Sequence, residues 1–181
     1  EDIKRTGDLI TVLNNPDSAT YIRPAGADFR KGDRIDPPLV ITPFHVALFA
    51  AMNAPKIMAT RRPDVAIIAT GDELVHPGEA PQPDQIIASN ALGLAAMLDT
   101  AGALPRLLPI ARDTPEALQS AFDLALGADL VITIGGASVG DRDLVARIAR
   151  DRGADMALHK IAMRPGKPLM AGILDGTAMI G

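Results

Sequence analysis

The sequence predicts an α/β protein, a three-layer α/β/α domain with a mostly parallel sheet, preceded by part of a small β-rich domain. Three observations carry that prediction. From residue 64 onward short apolar runs alternate with helix-patterned segments, the order that right-handed βαβ crossovers require. Residues 65–69 and 130–134 are apolar almost throughout rather than alternating, as strands covered on both faces are. Residues 1–42 differ in texture: short extended runs broken by turn formers, too few to own a core. The expected organisation is therefore a partial β-rich domain over residues 1–42, a connecting helix and hinge over 43–62, and the α/β/α domain over 63–181.

Taken in order, residues 8–13 and 19–23 read as extended, separated by Asn14-Asn15-Pro16-Asp17-Ser18. Pro43 opens an apolar helix over 44–52, and Arg61-Arg62-Pro63 is a charged hinge. Residues 65–69 are the first strand of the main sheet, followed by a Pro- and Gly-rich loop over 70–85. Ser89 or Asn90 caps a helix whose apolar face includes Leu94, Met97, Leu98 and Ala101, and Gly102 ends it. Residues 103–110 are the second strand. Thr114 caps the next helix, with Pro115 at its first position and Glu116 in its first turn. Residues 130–134 are the third strand, and a helix over 142–152 follows, with Leu144, Val145, Ile148 and Ala149 inward and Gly153 as its stop. Residues 156–161, 169–173 and 177–180 are further strands.

Composition narrows the function classes. The 181 residues suffice for one good core, and 48% apolar with 22% charged residues is ordinary for a globular domain. A net charge of -4 supplies no basic field for nucleic acid, and 3% aromatics with no Trp supply no base-stacking platform. The absence of Cys excludes disulfides, thiolate metal sites and Cys nucleophiles. No apolar run reaches membrane-spanning length and no signal peptide is visible, so the expected location is cytoplasmic. The missing initiator Met and the stop at Met179-Ile180-Gly181 are expected of a fragment.

Open α/β sheets take ligands at the carboxyl ends of their strands, and three polar loops are placed there by the element order. The first is Thr70-Gly71-Asp72-Glu73. Gly71 allows a sharp turn, and two adjacent acids can hold a divalent cation against a phosphate or serve as a general base. A solvated acidic turn is the alternative. The second is the glycine-rich loop from Gly135 to Asp143. Gly135, Gly136 and Gly140 permit close backbone approach, Ser138 offers a hydroxyl, and free N–H groups beside a helix N-terminus suit an anion. Asp141 fits the helix cap, which leaves Asp143 as the acid for chemistry. The glycine spacing matches neither a dinucleotide fingerprint nor a phosphate loop of nucleoside triphosphatases. The third is Arg164-Pro165-Gly166-Lys167-Pro168, a stiff turn projecting two cations toward a phosphate or an oxyanion such as molybdate, or else a solvated basic turn. Asp113 follows a strand and either joins the acidic cluster or only shapes a helix entry. Ser89 and Asn90 read as helix caps before they read as ligand contacts. His45, His76 and His159 lack metal-ligand spacing, and no Gly-x-Ser-x-Gly elbow is present.

These residues in this order resemble a known family. Arg62-Pro63-x-Val65-Ala66-Ile67, Thr70-Gly71-Asp72-Glu73-Leu74, Ser89-Asn90, Gly135-Gly136-x-Ser138-Val139-Gly140-x-x-Asp143 and Pro165-Gly166-Lys167-Pro168 look like the molybdopterin-binding domain of MoeA-type molybdopterin molybdenumtransferases, the gephyrin E-domain family. Upstream, Tyr21-Ile22-Arg23-Pro24-Ala25-Gly26-Ala27-Asp28-Phe29-x-x-Gly32-Asp33 resembles that family's β-rich domain. The resemblance implies enzymes that bind adenylylated molybdopterin, use molybdate and Mg2+, split the phosphoanhydride and release AMP. It implies catalytic roles for Glu73, Asp113 and Asp143, with Glu73 and Asp143 on the metal. It implies pterin-phosphate contacts from Thr70, Gly71, Asp72, Ser89, Asn90, Gly135, Gly136, Ser138 and Gly140, and an anion site at Arg164, Gly166 and Lys167, with Arg164 where a Lys is usual. It also implies a homodimer, contact with a MogA-like adenylyltransferase, and no nucleic-acid or membrane partner. Two departures stand out: Ala88 where an Asp is usual, and Ala137 in place of Val. The alternatives are a non-catalytic molybdopterin-binding scaffold, toward which Ala88 leans, and a MogA-like adenylyltransferase.

Overall fold

The computed structural model describes residues 3–13, 22–36, 40–135, 144–164 and 166–181. The chain divides into two compact units, Glu1–Ala59 and Thr60–Gly181.

In the first unit, β1 (Ile3–Thr6) and β2 (Leu9–Val12) form an antiparallel hairpin that turns at Gly7. The run expected over 19–23 lies mostly outside the described residues. Helix α1 (Pro43–Ala51) begins as expected at Pro43, whose fixed φ suits the first helical position. His45, three residues past the N-cap, accepts the Thr42 backbone N–H through Nδ1 at 3.0 Å, the place a Glu takes in a capping box.

The second unit holds β3 (Asp64–Ala69), β4 (Leu74–Val75), β5 (Ile86–Ile87), α2 (Ser89–Thr100), β6 (Leu104–Leu107), α3 (Pro115–Ala125), β7 (Leu130–Ile134), α4 (Leu144–Asp151), β8 (Asp155–His159), β9 (Met170–Leu174) and β10 (Thr177–Ile180). Six strands form one sheet in the order β6-β3-β7-β10-β9-β8. β6, β3, β7 and β10 are parallel; β9 pairs antiparallel with both β10 and β8, so it alone runs against the rest. The mostly parallel α/β fold is thus as the sequence predicts.

Strand β3 lies between β6 and β7 and is buried from Val65 to Ala69, which is why its run lacks alternation. Its two faces feed two cores. Val65, Ile67 and Ala69 pack with Ala91 under α2. Ala66 and Ile68 join Leu118 and Phe122 of α3, Val145 and Ile148 of α4, and Met170 and Met179. Each fully buried Ile or Phe contributes on the order of 1.5–3 kcal/mol. Helix α2 ends as expected at Gly102, which has φ +92, but differs from expectation in its cap and its inward stripe. Its N-cap is Ala88, with no side-chain hydrogen bond, and Ser89 is already helical. Its inward stripe is Ala91, Leu94, Ala95 and Leu98, while Met97 falls outside that stripe and is exposed. Helix α3 is capped as predicted: the Thr114 hydroxyl accepts the Ala117 N–H at 3.2 Å. On the α2 side of the sheet, Ile180, Ile173 and Leu158 remain exposed, because α2 packs on β3 and β6.

Polar clamps fasten the periphery. Arg152 bonds Asp123 of α3 at 2.7 Å and Asp175 of the β9–β10 turn at 3.2 Å, with its guanidinium 6.0 Å from the Phe122 ring centroid. Asp129 accepts Arg61 and the Asp64 N–H, tying the entries of β3 and β7 together.

Candidate functional site

Glu73 is placed by its neighbours. β3 ends at Ala69, and the Thr70 N–H bonds Ile134 O at 2.8 Å while the Gly71 N–H bonds Ala111 O at 3.1 Å. Gly71 then adopts φ +147, and a Cβ there would lie 2.7 Å from Glu73 Cδ. Only glycine lets the Glu73 carboxylate fold back over this turn.

A two-residue ladder brings the second wall. β4 and β5 run parallel, and the Ile86 and Ala88 N–H groups bond Glu73 O at 2.8 Å and Val75 O at 2.9 Å. That ladder sets the start of α2 beside Glu73. The result is a cleft of about 470 Å³ lined by Thr70, Glu73, Ala88, Ser89, Asn90 and Gly135, with Ala69, Leu74, Ile86, Ile87, Ala91 and Ile134 as its apolar floor. It opens at the carboxyl ends of β3 and β7, where parallel sheets bind ligands. Gly135 has φ +95, and a Cβ on it would collide with the Thr70 carbonyl, so this position demands glycine.

The acids do not act as one group. Asp72 turns away from the cleft: its carboxylate accepts the Asp113 N–H at 3.1 Å, and its carbonyl accepts Arg112 at 2.7 Å. Asp113 lies beside it, at the entry to α3. Its carboxyl is held above the usual range, first by desolvation and then by the negative charges of Asp72 and Glu73, against a backbone hydrogen bond from Asp72. Among the described residues no three His, Cys, Asp or Glu side chains converge on a metal-sized site.

The structure thus brings Thr70, Glu73, Ser89, Asn90 and Gly135 around one cleft, keeps Gly71 buried beneath it, and sets Asp72 and Asp113 just outside. Gly136, Ser138, Gly140 and Asp143, with Asp141, lie outside the described residues, as does Pro165. Arg164, Gly166 and Lys167 sit on the β8–β9 hairpin, closed by the Ile161 N–H to Lys167 O bond of 3.0 Å. That hairpin is on the same sheet edge, but β10 stands between its nearer strand, β9, and β7, which sets it roughly 10–14 Å from β7 at the usual strand spacing. It does not line the cleft. Lys160, at its base, holds a left-handed φ of +69, which a lysine rarely adopts. Lys160 went unnoticed in the sequence because it lies in an apolar run that reads as strand. The other missed group is the hydroxyl of Thr133, buried and, like that of the expected contact Thr70, without a hydrogen-bond partner; a Thr inside a strand gives no signal of that kind.

Comparison with known proteins follows the same lines. Residues 66–180 match a family model described as a probable molybdopterin binding domain. A molybdopterin molybdenumtransferase of Nostoc is 37% identical over 171 residues, spanning 93% of this chain and 39% of that protein. Molybdopterin molybdenumtransferase 2 of Mycobacterium tuberculosis is 33% identical over 180 residues, spanning 96% of this chain and 44% of that one. Among solved structures, a molybdopterin biosynthesis MoeA protein from Pyrococcus horikoshii matches with a TM-score of 0.74 at 28% identity, over 99% of this chain and 45% of its own. The chain therefore spans about two-fifths of the length of these curated relatives.

Proposed function

The chain belongs to the molybdopterin-binding domain family, and from that premise we propose that it binds adenylylated molybdopterin for molybdenum insertion, with cleavage of the phosphoanhydride and release of AMP. The observation that carries this reading is the cleft itself. It puts one carboxylate, Glu73, opposite an uncapped helix N-terminus and a glycine that admits close backbone approach. The α2 N-terminus and the Ser89 and Asn90 side chains bind phosphate oxygens. The apolar floor of Ala69, Ile134 and Ile87 takes the flat pterin and excludes water. Glu73 orients the attacking oxygen and accepts its proton, and Asp113, beside Asp72 just outside the cleft, supports the acidic rim of that turn. Arg164 and Lys167 gather molybdate at the sheet edge.

Mg2+ fits the donor chemistry of this cleft, which offers carboxylate and hydroxyl oxygens and no thiolate or imidazole. Glu73 and Asp143 would hold it, and it would neutralise the phosphoanhydride charge. Such an ion arrives with its phosphates rather than in an all-protein cage. A homodimer, contact with a MogA-like adenylyltransferase and a cytoplasmic setting complete the proposal; no described helix is long and apolar enough to cross a membrane.

The test is AMP release from adenylylated molybdopterin on adding molybdate. Release without ATP is expected; release only when ATP and unmodified molybdopterin are supplied would instead identify an adenylyltransferase. Ala88 favours one second reading, a binding module without catalysis, because it brings no carboxylate to the wall facing Glu73. Tight pterin binding with no AMP release would establish it.

A further inference from the structure

We propose that Arg112 is a positioning residue: it holds the peptide that joins Asp72 to Glu73 and so aims the Glu73 carboxylate into the cleft. The proposal rests on the reading of Glu73 as the base of that cleft, and deepens it by naming what sets it. Arg112 Nη1 donates to the Asp72 carbonyl at 2.7 Å. That carbonyl belongs to the peptide leading directly into Glu73, so rotation of this peptide swings the Glu73 side chain. The other peptides of the turn are tied by main-chain bonds. The Gly71 N–H bonds Ala111 O at 3.1 Å, the Gly71 carbonyl accepts the Leu74 N–H at 3.4 Å, and the Glu73 carbonyl accepts the Ile86 N–H at 2.8 Å. Among the described residues, the Asp72–Glu73 peptide is held by Arg112 alone.

The sheet puts Arg112 where it can do this. Parallel pairing of β3 with β6 runs to Ile67 opposite Leu107 and resumes at a single bridge, Thr70 opposite Ala111. The bridge lays Ala111-Arg112-Asp113 alongside Thr70-Gly71-Asp72, and a second tie, the Asp113 N–H to the Asp72 carboxylate at 3.1 Å, keeps the two stretches in step. Arg112 follows the bridge directly and turns back onto the carbonyl two residues past Thr70. A purely stabilising role does not account for the bond. Arg112 and Asp72 are both exposed, where a hydrogen bond exchanges with water and adds little to global stability. Its effect is geometric, since displacing a reacting group by about 1 Å costs on the order of 100-fold in rate. The contact uses one N–H at one point rather than the guanidinium fork, so an ammonium in the same place can replace it.

The experiment compares the chain with Arg112→Ala and Arg112→Lys by thermal unfolding, site-resolved amide hydrogen exchange and the kinetics of AMP release from adenylylated molybdopterin. Arg112→Ala should speed exchange about tenfold at Gly71, Ile86 and Asp113, the amides bonded across this turn, with Ala66 and Ile68 unchanged. It should lower kcat about 10- to 100-fold, keep KM within about twofold and keep the unfolding midpoint within about 2 °C. Arg112→Lys should bring both exchange and kcat back to near the parent values. An unchanged kcat in Arg112→Ala, a change confined to KM, or a lysine that restores nothing overturns the proposal. A lowered midpoint with faster exchange throughout β3 also overturns it, since that marks a structural role. A parent chain that releases no AMP contradicts the proposed reaction instead; the exchange rates then decide the clamp alone, and unchanged rates at Gly71, Ile86 and Asp113 in Arg112→Ala overturn it.

Discussion

Glu73 owes its position to a single glycine, because the Gly71 turn folds its carboxylate back into the cleft. Glu73→Gln keeps the size and the turn but removes the charge. It should lower AMP release at least 100-fold while leaving the thermal unfolding midpoint unchanged. Asp113 makes a pH-dependent prediction. Its folded carboxyl lies above the ordinary 3.8, pushed there first by desolvation and then by Asp72 and Glu73. The folded chain therefore holds this proton where the unfolded chain has lost it. Stability declines as pH rises from the ordinary value through the folded one. Asp113→Asn should flatten that part of the denaturation profile between pH 3 and 7 and be more stable than the parent at neutral pH. The Thr-Gly-Asp-Glu turn was legible in the sequence as an acidic site, because strand end and glycine fix its place. The division of labour between Asp72 and Glu73 was not. Adjacent acids look alike in a sequence, and only the approach of the Asp113 N–H shows Asp72 to be engaged elsewhere.

At the scale of elements, α2 and α3 begin differently, and that difference is measurable. Helix α3 has its Thr114 cap, so Thr114→Ala should cost about 1 kcal/mol in chemical denaturation. Helix α2 starts at Ala88 with no side-chain acceptor, so Ala88→Asp should add about 0.5–1 kcal/mol, and a destabilised variant would contradict the uncapped end. Strand β3, α3 and α4 were readable because burial on both faces, a Thr-Pro-Glu entry and an apolar stripe each leave a strong pattern. The α2 cap was misread because Ser89 and Asn90 both look like caps while the true cap is a residue with no capping chemistry. β4 and β5 are two residues each, too short for any periodicity. The reversal of β9 had a signal that went unused. Asp175-Gly176 joins Leu174 to Thr177 with φ of 50° and 79°, the two-residue turn that links antiparallel strands.

For the molecule as a whole, the division into Glu1–Ala59 and Thr60–Gly181 predicts where a protease enters. Arg61 and Arg62 are held by Asp129 and Asp99, whereas Lys56 is exposed in a segment without helix or strand. Brief trypsin treatment should cut after Lys56 and leave the second unit intact; first cuts inside residues 64–134 would contradict the division. The central claim is that the pterin ligand occupies the cleft between the Thr70–Glu73 turn and the start of α2. Amide hydrogen exchange with and without adenylylated molybdopterin tests it most directly. Slower exchange on binding is expected at residues 70–75, 86–91 and 134–135, with the β1–β2 hairpin unchanged. Protection confined to other segments, with those three stretches exchanging as in the free chain, would contradict it.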